Sequence, residues 1–316
     1  MPERPNPIDR ASHFHTNEPP LHRAARLGDH AAIRELVAAG ADVAETDEHG
    51  NTILMAAAGA LQPPETLELI VSVGVDPNAI SDFGLNALHS AVEDTDRDPS
   101  EWTDRLRPCV GALKSLGVDL EHRSDAGETP LAHAVTHGLP DAVQALCDLG
   151  ANPNVTCPVP KSGCGSSCGG CSSHEAPLLF HAVGAYDSDR KLASLLNAGA
   201  NVLASDAQGH TALTLAVGRL LQGTPDMAAR FRAFFKQFEP FARQHEHAGG
   251  TRDEVIARVT PAIRAIVEEM LGSLPSPPQW GADNVERMQA ASSIIILGAY
   301  EIWARRANAD PAQSRT

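Results

Sequence analysis

Apolar residues recur along this chain in one phrase, Leu-x-x-Ala followed by a small or apolar residue. It reads Leu21-His22-Arg23-Ala24-Ala25, Leu54-Met55-Ala56-Ala57-Ala58 and Leu88-His89-Ser90-Ala91-Val92. It returns as Leu131-Ala132-His133-Ala134-Val135, Leu179-Phe180-His181-Ala182-Val183 and Leu213-Thr214-Leu215-Ala216-Val217. Each phrase marks the buried face of a short helix. A second apolar helix follows five of them and is closed by a glycine, at Gly40, Gly74, Gly117, Gly150 and Gly199. Glycine supplies the left-handed backbone position that ends a helix. The pattern predicts helical hairpins too thin to bury their own apolar faces, which must stack.

Between hairpins stands Asp-x-x-Gly, as in Asp47-Glu48-His49-Gly50 and Asp206-Ala207-Gln208-Gly209, the signature of a tight turn. Thr129-Pro130 then opens a helix with proline in the first turn, where its missing N–H removes no bond. The phrases Pro20-Leu21-His22-Arg23-Ala24-Ala25 and Thr129-Pro130-Leu131, with closes such as Gly40-Ala41-Asp42, resemble the ankyrin repeat. The resemblance covers residues 17–217. It implies an all-α solenoid of about six helical hairpins that binds a protein partner through its projecting finger turns and concave helix face. The partner-facing positions it implies are Glu48, His49 and Asn51, then Asp82, Phe83 and Leu85, Asp125 and Glu128, and Gln208 and His210. Phe83 and Leu85 are apolar residues expected to be exposed at a tip, and so are anchor candidates. His133 and His181 share one register and are expected to line the groove. A repeat spacing of about 10 Å is long for two ligands of one metal. His22 and His89 occupy the register where a structural hydrogen bond near the helix start is expected.

The spacing breaks twice. From closing glycine to next leucine the interval is 14 residues in four cases but 29 between Gly150 and Leu179. The surplus of 15 matches the segment Cys157–Cys171, so a cysteine cluster is inserted at one finger. Its spacing is C-x6-C-x3-C-x2-C through Cys157, Cys164, Cys168 and Cys171. Four thiolates suffice for zinc or an iron–sulfur cluster, and a thiol-redox loop is the third reading. The second surplus lies within the third unit, at about 93–104, and reads as an acidic insert between its two helices. Asp94, Asp96 and Asp98 start a calcium-loop pattern, but Pro99 and Arg105 stand where Gly and Glu are required.

Beyond residue 217 the texture changes. Helices are predicted over 225–245, where five Phe cluster, over 252–272, and over 283–306. Residues 218–316 thus form a helical cap, which a repeat array needs over its open end, or an effector-like module addressed by the repeats. Residues 1–16 read as a flexible leader to the array.

Composition narrows the function. Net charge is −15 and the aromatic share 4%, which excludes binding nucleic acid or an anionic membrane by bulk charge. An acidic surface suits a basic or mixed-charge protein partner. The start after Met1 has no apolar segment, and Ile294–Tyr300 is too short to span a bilayer, so a cytoplasmic location is expected. Secretion by a route without a cleavable signal would leave no mark. No G-x-S-x-G, P-loop, G-x-G-x-x-G or H-E-x-x-H motif is present, and a non-catalytic role follows as the expectation.

Overall fold

The computed structural model describes residues 18–93, 99–159, 174–185, 187–222, 226–245, 249–272 and 283–309. The chain divides into two compact units, Met1–Ala151 and Asn152–Thr316.

The first unit is built from four helical hairpins. They pair α1 (Pro20–Leu27) with α2 (His30–Ala38), and α3 (Ile53–Gly59) with α4 (Pro64–Ser72). The next two pair α5 (Ala87–Val92) with α6 (Pro99–Ser115), and α7 (Pro130–His137) with α8 (Pro140–Asp148). Three of the inner helices begin on a polar cap: Thr52, Asn86 and Thr129 each accept a backbone N–H from the first turn. Inner helices pack on inner helices in the order α1, α3, α5, α7, and outer on outer in the order α2, α4, α6, α8. The phrase leucines Leu21, Leu54, Leu88 and Leu131 are buried, as are Ala25, Ala58, Ala91 and Ala134. Each such leucine contributes about 2 kcal/mol of burial, while alanine lets neighbouring helices approach. The closing glycines adopt the left-handed backbone that the sequence predicts, for example Gly40 at φ 92° and Gly150 at φ 88°.

The third hairpin departs from expectation. Its surplus is not all loop: α6 begins at Pro99 and runs 17 residues, whereas α2, α4 and α8 have 9. Leu106, Val110 and Leu113 are buried at helical spacing, so packing extends the helix across the charged sequence that precedes them. Asp94, Asp96 and Asp98 lie outside the described residues.

The second unit opens with an antiparallel hairpin, β1 (Thr156–Val159) paired to β2 (His174–Pro177). There follow α9 (Leu178–Gly184), α10 (Ser188–Asn197) and α11 (Ala212–Leu221), then α12 (Met227–His245), α13 (Arg252–Gly272) and α14 (Asp283–Ala309). α14, from the far end of the chain, packs against both α10 and α11 and also against α12 and α13. Polar contacts tie it down: Ser293 meets Ser188 at 3.2 Å and the Tyr300 hydroxyl donates to Asn197 at 2.7 Å. Arg305 grips Glu239 with two bonds of 2.9 and 2.8 Å. At Gly298 the helices come close, since a Cβ there would lie 3.2 Å from the Phe238 ring. No helix among the described residues is long and apolar enough to cross a membrane.

Candidate partner-binding fingers and groove

The fingers of the first unit are turns at 47–51, 81–85 and 124–128. In the first, the Asp47 carboxylate accepts the N–H groups of His49 and Asn51, both at 2.9 Å, and Gly50 N donates to Asp47 O at 3.1 Å. Burial pushes the Asp47 carboxyl up. The Asn51 side chain and these backbone donors outweigh it and hold Asp47 below the usual carboxylate range. Ser81 and Ser124 stand in for that aspartate in the next two fingers, with backbone bonds Gly84 N to Ser81 O at 2.9 Å and Gly127 N to Ser124 O at 2.8 Å.

Successive fingers are joined through their backbones. Asp82 N donates to His49 O and Asp125 N donates to Phe83 O, each at 3.0 Å. The join is close: a Cβ on Gly84 would sit 2.8 Å from Asp125 N, and its φ of 69° also favours glycine. Helix-borne imidazoles brace the turns from behind. His22 Nε2 donates to Asn51 O at 2.8 Å, and His89 Nε2 donates to Glu128 O at 3.0 Å. The structural bond expected of these two histidines is present in both. His89 also closes a capping box with Asn86, and burial pushes its pKa down to about 4.

The candidate contact residues fall into two groups. Glu48, His49, Asp82, Phe83 and Asp125 are exposed in the first unit, as are Gln208 and His210 in the second. Phe83 is 57% exposed and its ring lies 6.2 Å from that of His49. Asn51, Leu85, Glu128, His133 and His181 are partly buried. Leu85 is therefore not the open apolar tip that its sequence position suggests: its N–H and C=O both bond to Ser81. Asn51 is committed to its own turn through Asp47, at 3.0 Å. Glu128 turns inward, its carboxylate 3.1 Å from His133 Nδ1 and 3.9 Å from His137 Nε2. The sequence signal for that trio was available, since His133 and His137 are four residues apart on one helix face.

In the second unit the sixth finger repeats the first, with Asp206 accepting His210 N at 2.9 Å and pairing the His210 ring at 3.0 Å. The fifth differs. Its helix α9 has Pro177 at the N-cap, which makes no side-chain cap. Instead Leu178 N donates to Val155 O at 3.0 Å, and the β1–β2 ladder sets Cys157 opposite Ala176. The expected turn has grown into a two-stranded ribbon. Cys157 is 1% exposed in β1, while Cys164, Cys168 and Cys171 lie outside the described residues. The two isolated cysteines stand apart from the insert: Cys109 is fully buried, and burial with the nearby Asp148 charge pushes the Cys147 thiol up to about 12.

Comparison with known proteins agrees with this architecture. A family model described as ankyrin repeats (3 copies) matches residues 5–81 and 60–157. The mouse B-cell lymphoma 3 protein homolog is 35% identical over 156 residues, covering 49% of this chain and 30% of that protein. Human Rabankyrin-5 is 26% identical over 205 residues, covering 58% of this chain and 17% of that protein. The chain thus spans less than a third of the length of these relatives. The crystal structure of the ankyrin repeat domain of Bcl-3 is 28% identical, with TM-score 0.49, covering 65% of this chain and 82% of that one. With repeated hairpins, left-handed glycine closes and backbone-joined fingers all in place, residues 5–157 of this chain are ankyrin repeats.

Proposed function

We propose that the chain is a non-catalytic protein-interaction module whose finger edge in the first unit binds a segment of a protein partner. The observation that carries this reading is the backbone joining of the fingers, which holds exposed Glu48, His49, Asp82, Phe83 and Asp125 at fixed spacing. A pre-ordered edge loses little entropy on binding. Phe83 over His49 is the apolar anchor, and the flanking carboxylates select a basic or mixed-charge segment. Partner identification by crosslinking and mass spectrometry, followed by binding of the purified pair, tests it. Phe83→Ala with His49→Ala is expected to weaken affinity at least tenfold, and Arg34→Ala on α2 to leave it unchanged. Equal affinity in all three proteins would sink the finger-edge reading.

The cysteine insert is, in this reading, a metal-bearing finger, with zinc preferred to an iron–sulfur cluster. Its support is the β1–β2 pairing, which brackets the stretch of sequence that carries three of the four cysteines. Metal analysis after anaerobic purification should find one zinc per chain, reduced in Cys168→Ser. A metal-free parent protein would overturn it.

A further inference from the structure

Four imidazoles gather on the inner side of the third and fourth hairpins, and they are not equivalent. His89 uses both ring nitrogens, Nε2 on Glu128 O and Nδ1 on Asn86, and His122 Nε2 is bonded to Gly84 O at 2.9 Å. These rings hold the fold. His133 and His137 do something else. Their centroids are 4.8 Å apart, and both turn a nitrogen toward the same oxygen, Glu128 Oε2. His133 Nε2 is buried with no hydrogen-bond partner among the described residues.

We propose that Glu128, His133 and His137 form a binding site for a zinc-class divalent cation, with the remaining coordination positions open to water. The donor atoms lie within 4.8 Å of one another. Donors around tetrahedral zinc stand about 3.3 Å apart, given bonds of about 2.0–2.1 Å. The His133–Glu128 separation of 3.1 Å already meets that, and the His137 separation of 3.9 Å closes by a small rotation of a side chain that is 55% exposed. Two imidazoles and a carboxylate favour zinc and its neighbours over calcium or magnesium.

The supporting shell is in place. Glu128 is clamped through its backbone, with Ser124 N and His89 Nε2 both donating to its carbonyl and its own N–H on Ser124 Oγ at 3.3 Å. Its second carboxylate oxygen lies 3.4 Å from Thr136 Oγ1, whose hydroxyl is nearer the Ala132 carbonyl at 3.0 Å. Such outer partners fix a ligand's orientation. When the cation takes the Nδ1 lone pair of His133, the ring proton moves to Nε2. The Nδ1–H···Oε2 bond to Glu128 gives way to coordination of both atoms by the cation, and the ring proton sits on Nε2.

The site is separable from the cysteine insert. The full chain carrying Cys164→Ser, Cys168→Ser and Cys171→Ser is titrated with zinc by calorimetry and with cobalt by visible absorption. One equivalent should bind, and cobalt should show weak ligand-field bands without thiolate charge transfer. His137→Ala and Glu128→Gln in that background should each weaken binding at least tenfold, with melting temperatures within a few degrees of the parent. His49→Ala should bind as the parent does. Absence of saturable binding in the triple-serine chain, or undiminished affinity in either ligand variant, overturns the site.

Discussion

The first four hairpins and the last three helices bury apolar surface by opposite means. The hairpin helices are short, with α5 only 6 residues long, and their faces are mostly alanine and leucine. The terminal helices run 19, 21 and 27 residues and meet around Phe234, Phe238, Val259, Ile263, Ile294 and Leu297. Thin hairpins cannot hold themselves by volume alone. They add polar clamps that cross from one repeat to the next, His22 to Asn51 and His89 to Glu128. The terminal helices carry an ionic cluster, in which Arg305 binds the half-buried Glu239 and the buried Glu301. Stability in the array is therefore distributed among polar joints, and in the terminal bundle concentrated in large side chains.

That contrast can be broken in order of expected effect. Phe238→Ala should cost about 3–5 kcal/mol, read by denaturant unfolding. Hydrogen exchange should rise across α12, α13 and α14 and stay unchanged in α1 to α5. An equal rise in those hairpins would show that the two regions share one core.

The next largest effect is set by pH. His89 has a folded pKa of about 4 against an ordinary value of 6.5. Between those values the unfolded chain binds a proton that the folded chain refuses, so stability falls as pH drops from 6.5 to 4. The loss approaches about 3 kcal/mol across that window. Unfolding midpoints between pH 7 and 4 should show this slope, reduced in His89→Gln. A slope of equal size in the variant would place its origin elsewhere.

Smaller still is the cap. Thr129→Ala should cost about 1 kcal/mol by exposing the first turn of α7, whereas Pro177→Ala should change stability by less than about 0.5 kcal/mol, because its turn is held by the β ladder. Last comes Phe83→Ala, which removes an exposed ring and should shift stability by under about 0.5 kcal/mol. A large loss there would identify the ring as core.

Much of this was legible in the sequence because repetition states the same constraint several times. Leu21, Leu54, Leu88 and Leu131 mark the inner helices and all are buried. Both ends of the fifth finger's insert follow from counting between Gly150 and Leu179, and β1 and β2 stand at those ends. Legibility fails where a residue's role depends on one neighbour. The register pairs His133 with His181 across repeats, yet the ring beside His133 is His137, on its own helix. Leu85 looks like an open tip by position but is partly buried, with its backbone bonded to Ser81. The start of α6 is charged and looks like loop, and only the buried Leu106, Val110 and Leu113 explain why it is helix.

The β1–β2 ribbon makes the fifth finger an insertion port. Its paired strands fix the ends of the intervening segment in register, Val159 opposite His174, so the helices that follow receive the chain at the same place whatever lies between. Doubling the length of such a loop adds only about 0.6 kcal/mol of closure entropy. Sequence between the strands can enter, leave or be exchanged at this finger at little thermodynamic cost, and Cys164, Cys168 and Cys171, unlike the buried Cys157, occupy positions open to replacement in evolution and in engineering alike.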